Sequence, residues 1–210
     1  TSFQMSANLL KHYVAQGETK KIESLGDKIE QSASRLNFLL DNLLDWSLSQ
    51  QGNITCRFES ILLEPFFNEI ITLYSDIIAS KQIEVAITIE KGLATLADQN
   101  TLSVILRNLL SNAVKFTPRS GKVTISAGYK DNMASISISD SGMGMDEQKL
   151  KNLFKLSGSK SAPGTEKERG TGIGLVLVHE FVLLNKGQIA VESNPGRGSR
   201  FTLSLPAASR

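Results

Sequence analysis

Three short motifs, which follow one another in a fixed order, constrain this chain more than any other feature of its sequence. Asn108 and Asn112 stand four residues apart within Arg107–Phe116, an acid and two glycines follow in Asp140–Gly144, and three alternating glycines come last in Gly170–Leu175. Each motif alone is weak, because sequences such as Asp-Ser-Gly occur in many ordinary turns. The ordered set is hard to explain except as a nucleotide site.

The composition limits the class of protein. With 210 residues the chain can bury one large core or two small ones. Its 23 basic and 21 acidic residues nearly balance, and no basic stripe with interleaved aromatics is present, so we expect no nucleic-acid partner. Cys56, the single cysteine, excludes an internal disulfide. No apolar run approaches the roughly 20 residues of a membrane span. Since Thr1 is not an initiator methionine and begins no signal peptide, we expect a piece of a longer protein.

Residues 1–50 are predicted to form two amphipathic helices. One apolar stripe precedes the polar break Gln16–Thr19, and a second keeps three-four spacing from Ile22 to Trp46, as in coiled coils and helix bundles. One hairpin cannot bury such a stripe alone, and bundles usually need four helices, so we expect a homodimer through these helices. Packing of the hairpin on the rest of the same chain is the alternative.

Gly52 follows the hairpin as a helix stop signal and predicts a domain boundary. In residues 53–210 helical and alternating segments follow one another, which predicts an α+β sandwich with helices on one face of an antiparallel-rich sheet. Asp98 is placed to cap the second of three expected helices. The expected helices are Pro65–Lys81, Gln99–Phe116 and Gly172–Asn185, and the expected strands are Glu84–Ile89, Lys122–Gly128, Met133–Asp140, Gln188–Ser193 and Arg200–Leu205.

The asparagine pair is suited to a metal ion. Residues four apart share one face of a helix, so Asn108 and Asn112 should point the same way. An amide oxygen is a hard ligand that suits Mg²⁺, which is usually held by one or two protein groups together with substrate phosphates. Two solvated surface asparagines would give the same spacing, and this alternative stays open on the pair alone.

The acid and glycines of the second motif suit a purine base. Asp140 ends an alternating strand, where its carboxylate can accept a hydrogen bond from the exocyclic amine of adenine. Gly142 and Gly144 lack side chains, so the backbone can approach the base and turn tightly. A calcium loop is excluded, because glycines stand where oxygen-bearing side chains would be needed.

The glycine run of the third motif suits phosphate. It is not the dinucleotide-binding fingerprint, because Leu175 stands where the third glycine would be and no buried strand precedes it. Backbone N–H groups at a helix start attract anions, so Gly170 and Gly172 are expected to contact phosphate first. Arg169, Lys160 and Lys167 could add positive charge, and a solvated loop charge is the alternative for each of them. The preceding stretch Lys155–Arg169 lacks periodicity, and we expect a mobile lid there.

Together the three motifs resemble the N, G1 and G2 boxes of sensor histidine kinases, within the ATPase group that includes gyrase, Hsp90 and MutL. The resemblance covers nearly the whole chain. It implies that residues 1–50 are the dimerisation and phosphotransfer hairpin of a dimeric four-helix bundle. It also implies that residues 53–210 are the ATP-binding catalytic domain, an α/β sandwich of the GHKL or Bergerat type.

The resemblance also implies roles for individual residues. Asn112 would bind Mg²⁺, Asn108 would lie near the phosphates, Lys115 would contact a phosphate or the ribose, and Phe116 would pack on adenine. The first three of these would form the catalytic set. The whole nucleotide-binding set would comprise Asn108, Asn112, Lys115, Phe116, Asp140, Gly142, Gly144, Arg169, Gly170, Thr171, Gly172, Gly174 and Leu175.

The activity implied by the resemblance is that of a protein-histidine kinase, which transfers the γ-phosphoryl of ATP to a histidine and then to a response-regulator aspartate. The implied partners are a second copy, an upstream sensor domain and a receiver domain. The implied location is the cytoplasm, either free or as the cytoplasmic part of a membrane-bound receptor. Thr1-Ser2-Phe3 resembles the tail of the acceptor motif, so the acceptor is expected just upstream and this fragment alone should not autophosphorylate.

Four further residues complete the interpretation. His12 lacks the acidic and proline neighbours of an acceptor, and His179 sits in the apolar helix after the glycine run, so both are expected to be structural or surface residues. Ser157 departs from the family pattern, since it replaces the second phenylalanine of a Phe-x-x-Phe box that begins at Phe154.

Two rival functions are a nucleotide-gated module without transfer and an ATPase of the Hsp90 or MutL type. Those ATPases usually carry a glutamate where Asn108 stands.

Overall fold

The computed structural model of the protein describes residues 56–155, 164–165 and 173–208, together with scattered positions between residues 10 and 29. The chain divides into two compact units, Thr1–Leu48 and Ser49–Arg210. Among the residues described, no helix has the length and apolar character needed to cross a membrane.

Little of the first unit is described. Gly17 has a φ of 69° in a turn that lies between helical residues on either side, at the predicted polar break. The apolar stripe from Ile22 to Trp46 lies largely outside the described residues. The hairpin and the dimer that it would form therefore stay predictions.

Strands and helices alternate along the second unit. In chain order they are β1 Phe58–Leu62, α1 Leu63–Thr72, α2 Ser75–Ser80, β2 Glu84–Ile89, β3 Ala94–Asp98, α3 Gln99–Phe116, β4 Lys122–Lys130, β5 Met133–Asp140, α4 Glu147–Lys151, α5 Gly174–Leu184, β6 Gln188–Ser193 and β7 Ser199–Pro206. A five-stranded sheet has the order β2-β4-β5-β7-β6, and a separate two-stranded sheet pairs β1 with β3. The β2–β4 pair is parallel, and all other neighbouring strands are antiparallel.

The five-stranded sheet has one apolar and one polar face, because its central strands alternate strictly. In β5, Ala134, Ile136 and Ile138 are buried, while the serines between them are partly exposed. The buried face is covered by helices α3 and α5, whose own apolar residues complete the core. Helices therefore lie on one face of a largely antiparallel sheet, and the predicted α+β sandwich is confirmed for this unit.

One predicted helix was wrong, and two strands were missed. The expected helix Pro65–Lys81 is two helices, α1 and α2, separated at Leu73 and Tyr74, and the Tyr74 hydroxyl donates to the Arg107 carbonyl at 3.1 Å. Strands β1 and β3 were not predicted. They pair with each other, and Thr95 of β3 also forms an isolated antiparallel bridge with Ala207. Because β3 runs directly into α3, the helix signal that follows masks so short a strand.

A buried polar cluster fixes the start of α3 against the end of α5. The Asp98 carboxylate accepts from the Thr101 N–H at 2.9 Å, which confirms the predicted helix cap. The Asn185 side chain accepts from the Asp98 N–H at 2.8 Å and donates to the Thr101 hydroxyl at 2.8 Å. Buried polar groups that bond one another in this way hold two elements in one relative position. The two helices that carry the first and third motifs are thus joined at the end away from the motifs.

Candidate functional site

Helix α3 carries the asparagine pair, and Asn108 is buried within the core. Its side chain is 5% exposed, and its Nδ2 donates to the Val104 carbonyl at 2.9 Å. A methyl group at Gly174, the first residue of α5, would overlap the Asn108 Oδ1 atom. The first and third motifs are therefore in direct contact, and position 174 requires glycine because the asparagine amide lies against it.

Asn112 lies one turn further along α3 and is only half-buried. The end of the helix bears Lys115 and Phe116, both half-buried, with the Lys115 ammonium nitrogen 4.7 Å from the Phe116 ring centroid. That separation is within the range of a cation–π interaction. The predicted metal ligand and the predicted basic and aromatic contacts thus follow Asn108 along the last two turns of one helix.

Asp140 ends β5 in a nearly buried position, where it is 9% exposed. Its Oδ1 accepts from the Gly142 N–H at 2.8 Å. Burial raises the pKa of the Asp140 carboxyl above its ordinary value, although hydrogen bonds from the Gly142 and Ser199 N–H groups lower this pKa. A carboxylate offers about four acceptor sites. Two backbone donors leave capacity for a further donor, such as the amine of a base.

The glycines of the second motif are required by the packing of the chain itself. A methyl at Gly142 would lie 2.7 Å from the Asp140 Oδ1 and 2.8 Å from the Phe116 carbonyl carbon. Gly144 has a φ of 65°, and a methyl there would overlap the Asn194 carbonyl. These glycines were expected to admit a base. The contacts show that they bring the second motif against the end of α3 and against the β6–β7 turn.

Gly198 is a site residue that sequence reasoning missed. It has a φ of 79°, and a methyl there would overlap the Asp140 carbonyl oxygen. The glycines at 196 and 198 follow Pro195 between two alternating segments, a pattern that predicts only a turn. A close approach of two chain segments leaves no pattern in the sequence of either segment alone, so the sequence could not predict the contact between Gly198 and Asp140.

Helix α5 begins at Gly174, and its N-cap residue is Ile173, whose side chain cannot accept a hydrogen bond. A helix start carries partial positive charge and N–H groups that favour anions. Leu175 is half-buried in the first turn. Arg169, Gly170, Thr171 and Gly172 lie outside the described residues, so their predicted contacts are not placed by the structure.

One of the two histidines, His179, lies among the described residues, and it packs against an aromatic ring. His179 is half-buried on α5, and its ring lies 5.1 Å from the Phe154 ring at an interplanar angle of 32°. His12 and Ser157 lie outside the described residues. The expectation that His179 is a structural or surface residue stays a prediction.

The motifs imply a metal ion, which needs donor side chains at the site. In the described ranges no group of three His, Cys, Asp or Glu residues could hold a metal ion. A metal here would therefore depend on few protein ligands. The half-buried amide of Asn112 fits Mg²⁺ under that condition, because this ion keeps several waters and takes its remaining ligands from substrate phosphates.

Comparisons with known proteins point to one family. The profile of the "Histidine kinase-, DNA gyrase B-, and HSP90-like ATPase" family matches residues 97–209. The autoinducer 2 sensor kinase/phosphatase LuxQ of Vibrio vulnificus is 33% identical over 210 residues, a match that covers 95% of this chain and 24% of LuxQ. The chain thus spans about a quarter of the length of this relative.

Solved structures share the fold. The histidine kinase AdeS of Acinetobacter baumannii superposes with a TM-score of 0.72 at 19% identity, covering 99% of this chain and 98% of AdeS. Full-length ShkA in complex with AMPPNP gives a TM-score of 0.72 at 22% identity and covers 99% of this chain and 46% of ShkA. The chain therefore belongs to the family of histidine kinase-, DNA gyrase B- and HSP90-like ATPases, and its likeness to sensor kinases within that family confirms the resemblance predicted from its three motifs.

Proposed function

We propose that this chain binds ATP with Mg²⁺ and is the catalytic part of a sensor histidine kinase. It would transfer the γ-phosphoryl group of ATP to a histidine, from which the group passes to an aspartate of a response regulator. The observation that carries this proposal is that both other motifs contact helix α3. Gly142 lies on the backbone of Phe116, and Gly174 lies on the amide of Asn108. One nucleotide bound along this helix could therefore reach all three motifs.

Asp140 and Phe116 would bind the base. The Asp140 carboxylate is held in place by the Gly142 N–H at 2.8 Å and retains acceptor capacity for the exocyclic amine of adenine. Guanine carries a carbonyl at that position, which would face the carboxylate with a second acceptor. Phe116 would pack on the base, and the close packing of Gly142 and Gly144 would keep this end rigid.

The other end of the site would bind the phosphates. Asn112 would hold Mg²⁺, which supplies charge neutralisation on the phosphates when bound. Lys115 would contact a phosphate or the ribose. The start of α5, with Gly174 and Leu175, would favour the phosphate anions. The remaining proposed contacts are those of Arg169, Gly170, Thr171 and Gly172.

Positioning and charge neutralisation dominate phosphoryl transfer, so a domain of this kind needs no general base of its own. Asn108 supports transfer over hydrolysis. Its side chain is buried, its Nδ2 is bonded to the Val104 carbonyl, and an amide cannot take a proton from water. An Hsp90-like ATPase would need a base at this position. A nucleotide-gated module without transfer is the remaining alternative, and labelling with γ-labelled ATP distinguishes it from a kinase.

The partners belong to the same proposal. LuxQ is described as a sensor kinase/phosphatase, and by analogy we propose an upstream sensor domain, a receiver domain as phosphoryl acceptor and a homodimer through the N-terminal helices. His179 contacts Phe154 and lacks the acceptor motif, so we propose that His179 is not the phosphorylated histidine. The protein would then act in the cytoplasm, where ATP is available.

The test is ligand-induced stabilisation. Mg-ATP at a hundredfold excess over Kd should stabilise the fold by about 2.7 kcal/mol. Asn112→Ala should remove the Mg²⁺ dependence of binding. Asn100→Ala is the matched control, since Asn100 is exposed in the first turn of the same helix and should leave binding unchanged. With γ-labelled ATP, the full-length protein should acquire acid-labile, base-stable label.

A thermal melt that saturating Mg-ATP leaves unchanged would refute the nucleotide site. Binding without label on the full-length protein would instead favour the nucleotide-gated module. Release of inorganic phosphate without label would favour the ATPase.

A further inference from the structure

Lys81 is a buried lysine that the three motifs do not account for. It follows α2 directly and is 1% exposed. Its ammonium nitrogen donates to the Val114 carbonyl at 2.9 Å, to the Lys115 carbonyl at 3.1 Å and to the Thr165 hydroxyl at 2.7 Å. Burying a charge is costly unless it is hydrogen-bonded, so these contacts make the buried position of Lys81 possible.

Two of the acceptors belong to the last turn of α3. The final carbonyl groups of a helix have no partner within the helix and carry partial negative charge, which favours a cation beside them. The backbone of Lys81 is held as well, because its carbonyl accepts from the Ser120 N–H at 2.9 Å. The ammonium of Lys81 therefore caps the helix end that presents Lys115 and Phe116.

Thr165 meets the same helix end from another segment of the chain. Its N–H donates to the Lys115 carbonyl at 3.2 Å. Its hydroxyl accepts from Lys81 and lies 3.1 Å from the carbonyl oxygens of both Lys115 and Thr117, to either of which it can donate. Gly164, next to it, is buried. Residues 164 and 165 are thus fastened to the end of α3 through one shared network.

We propose that Lys81 and Thr165 form an anchor that positions Lys115 and Phe116 for nucleotide binding, an inference that rests on the function proposed above. Neither anchor residue needs to touch the nucleotide. They hold the helix end in the geometry in which the Lys115 ammonium lies 4.7 Å from the Phe116 ring and the Phe116 backbone meets Gly142. If only part of the population holds that geometry, the apparent affinity falls by the same fraction.

Thr165→Val tests the anchor, because valine has the shape of threonine but can neither accept from Lys81 nor donate to the carbonyls. Thr165 is exposed, so the variant should fold. Because hydrogen bonds to charged groups are among the stronger ones, we expect the apparent Kd for Mg-ATP, measured by calorimetry, to rise about tenfold. Thr165→Ser keeps the hydroxyl and should restore the affinity to within about twofold of the original chain.

Thr72→Val is the matched control. Thr72 is exposed on α1, and its hydroxyl also donates to a backbone carbonyl, that of Asn68 at 2.8 Å. It should leave the Kd unchanged. If Thr165→Val lowers the urea midpoint without changing the Kd, the contact is only structural and the anchor proposal is wrong. If the original chain binds no Mg-ATP, the proposed function itself fails, and the anchor proposal fails with it.

Discussion

Replacing Gly142 by alanine tests the contact that joins the second motif to helix α3. The added methyl would lie 2.7 Å from the Asp140 Oδ1 and 2.8 Å from the Phe116 carbonyl carbon, and closer still to its oxygen. The Phe116 atoms are backbone atoms of a helix end, so they cannot turn away as a flexible side chain would. The φ of Gly142 is not positive, so alanine there adds steric overlap without adding backbone strain.

The expected cost follows from two contributions. Overpacking of a filled site costs about 1–3 kcal/mol. Displacement of the loop also weakens the bond from the Gly142 N–H to Asp140, and a hydrogen bond to a charged group contributes roughly 1.5–3 kcal/mol. Because neighbouring effects do not add fully, we expect a total loss of about 2–4 kcal/mol. In a protein of this size that loss corresponds to a fall in Tm of roughly 4–16 °C.

Urea denaturation without nucleotide measures this cost. Gly128→Ala is the matched control, because Gly128 lies in β4 and a methyl there would meet only the Glu90 carboxylate, at 3.4 Å. That variant should be neutral or slightly more stable, since glycine within a strand is less favourable than alanine. A Gly142→Ala chain whose unfolding free energy lies within about 0.5 kcal/mol of the original would refute the close-contact reasoning.

Two further predictions concern charge and assembly. Burial raises the pKa of Asp140 above its ordinary value of 3.8, so the folded state binds the proton more tightly and stability falls as the pH rises through that raised value. Asp140→Asn should therefore stabilise the chain at pH 7 and lose this added stability as the pH falls toward 3.8, and its affinity for ATP should fall. Urea midpoints between pH 3.5 and 7.5 measure the change in stability. A variant less stable than the original chain at every pH would contradict the prediction. Light scattering should give a dimer for residues 1–210 and a monomer for 53–210, and equal masses per chain would contradict the bundle.

Local patterns predicted most of the second unit. Strict alternation located β2 and β4 to β7, and the cap at Asp98 located the start of α3. The break between α1 and α2 could not be predicted, since Leu73 and Tyr74 are not helix breakers. It coincides with a contact that reaches Arg107 on another helix, and such tertiary contacts override local propensity.

The sequence predicted which residue types form the candidate site, but it did not predict the contacts that require them. The motifs named Asp140, Gly142 and Asn108, and the structure brings these around α3. The close approaches that make glycine necessary at 142 and 198 depend on segments distant in sequence. Lys81 was predicted only as the last residue of a helix, whereas the structure buries its ammonium group, which donates to the carbonyls at the end of α3 and to the Thr165 hydroxyl.

The polar face of the five-stranded sheet determines how this domain can be covered. Ser135, Ser137 and Ser139 on β5, with Thr202 and Ser204 on β7, present a row of partly exposed hydroxyl groups. A third layer packed there would remove these hydroxyls from water, at about 1–3 kcal/mol for each one left without a partner. Any molecule that rests on this face would therefore gain more by sharing ordered water with the hydroxyls than by excluding it. The apolar face of the sheet is therefore suited to packing against helices, and the polar face to contact with solvent.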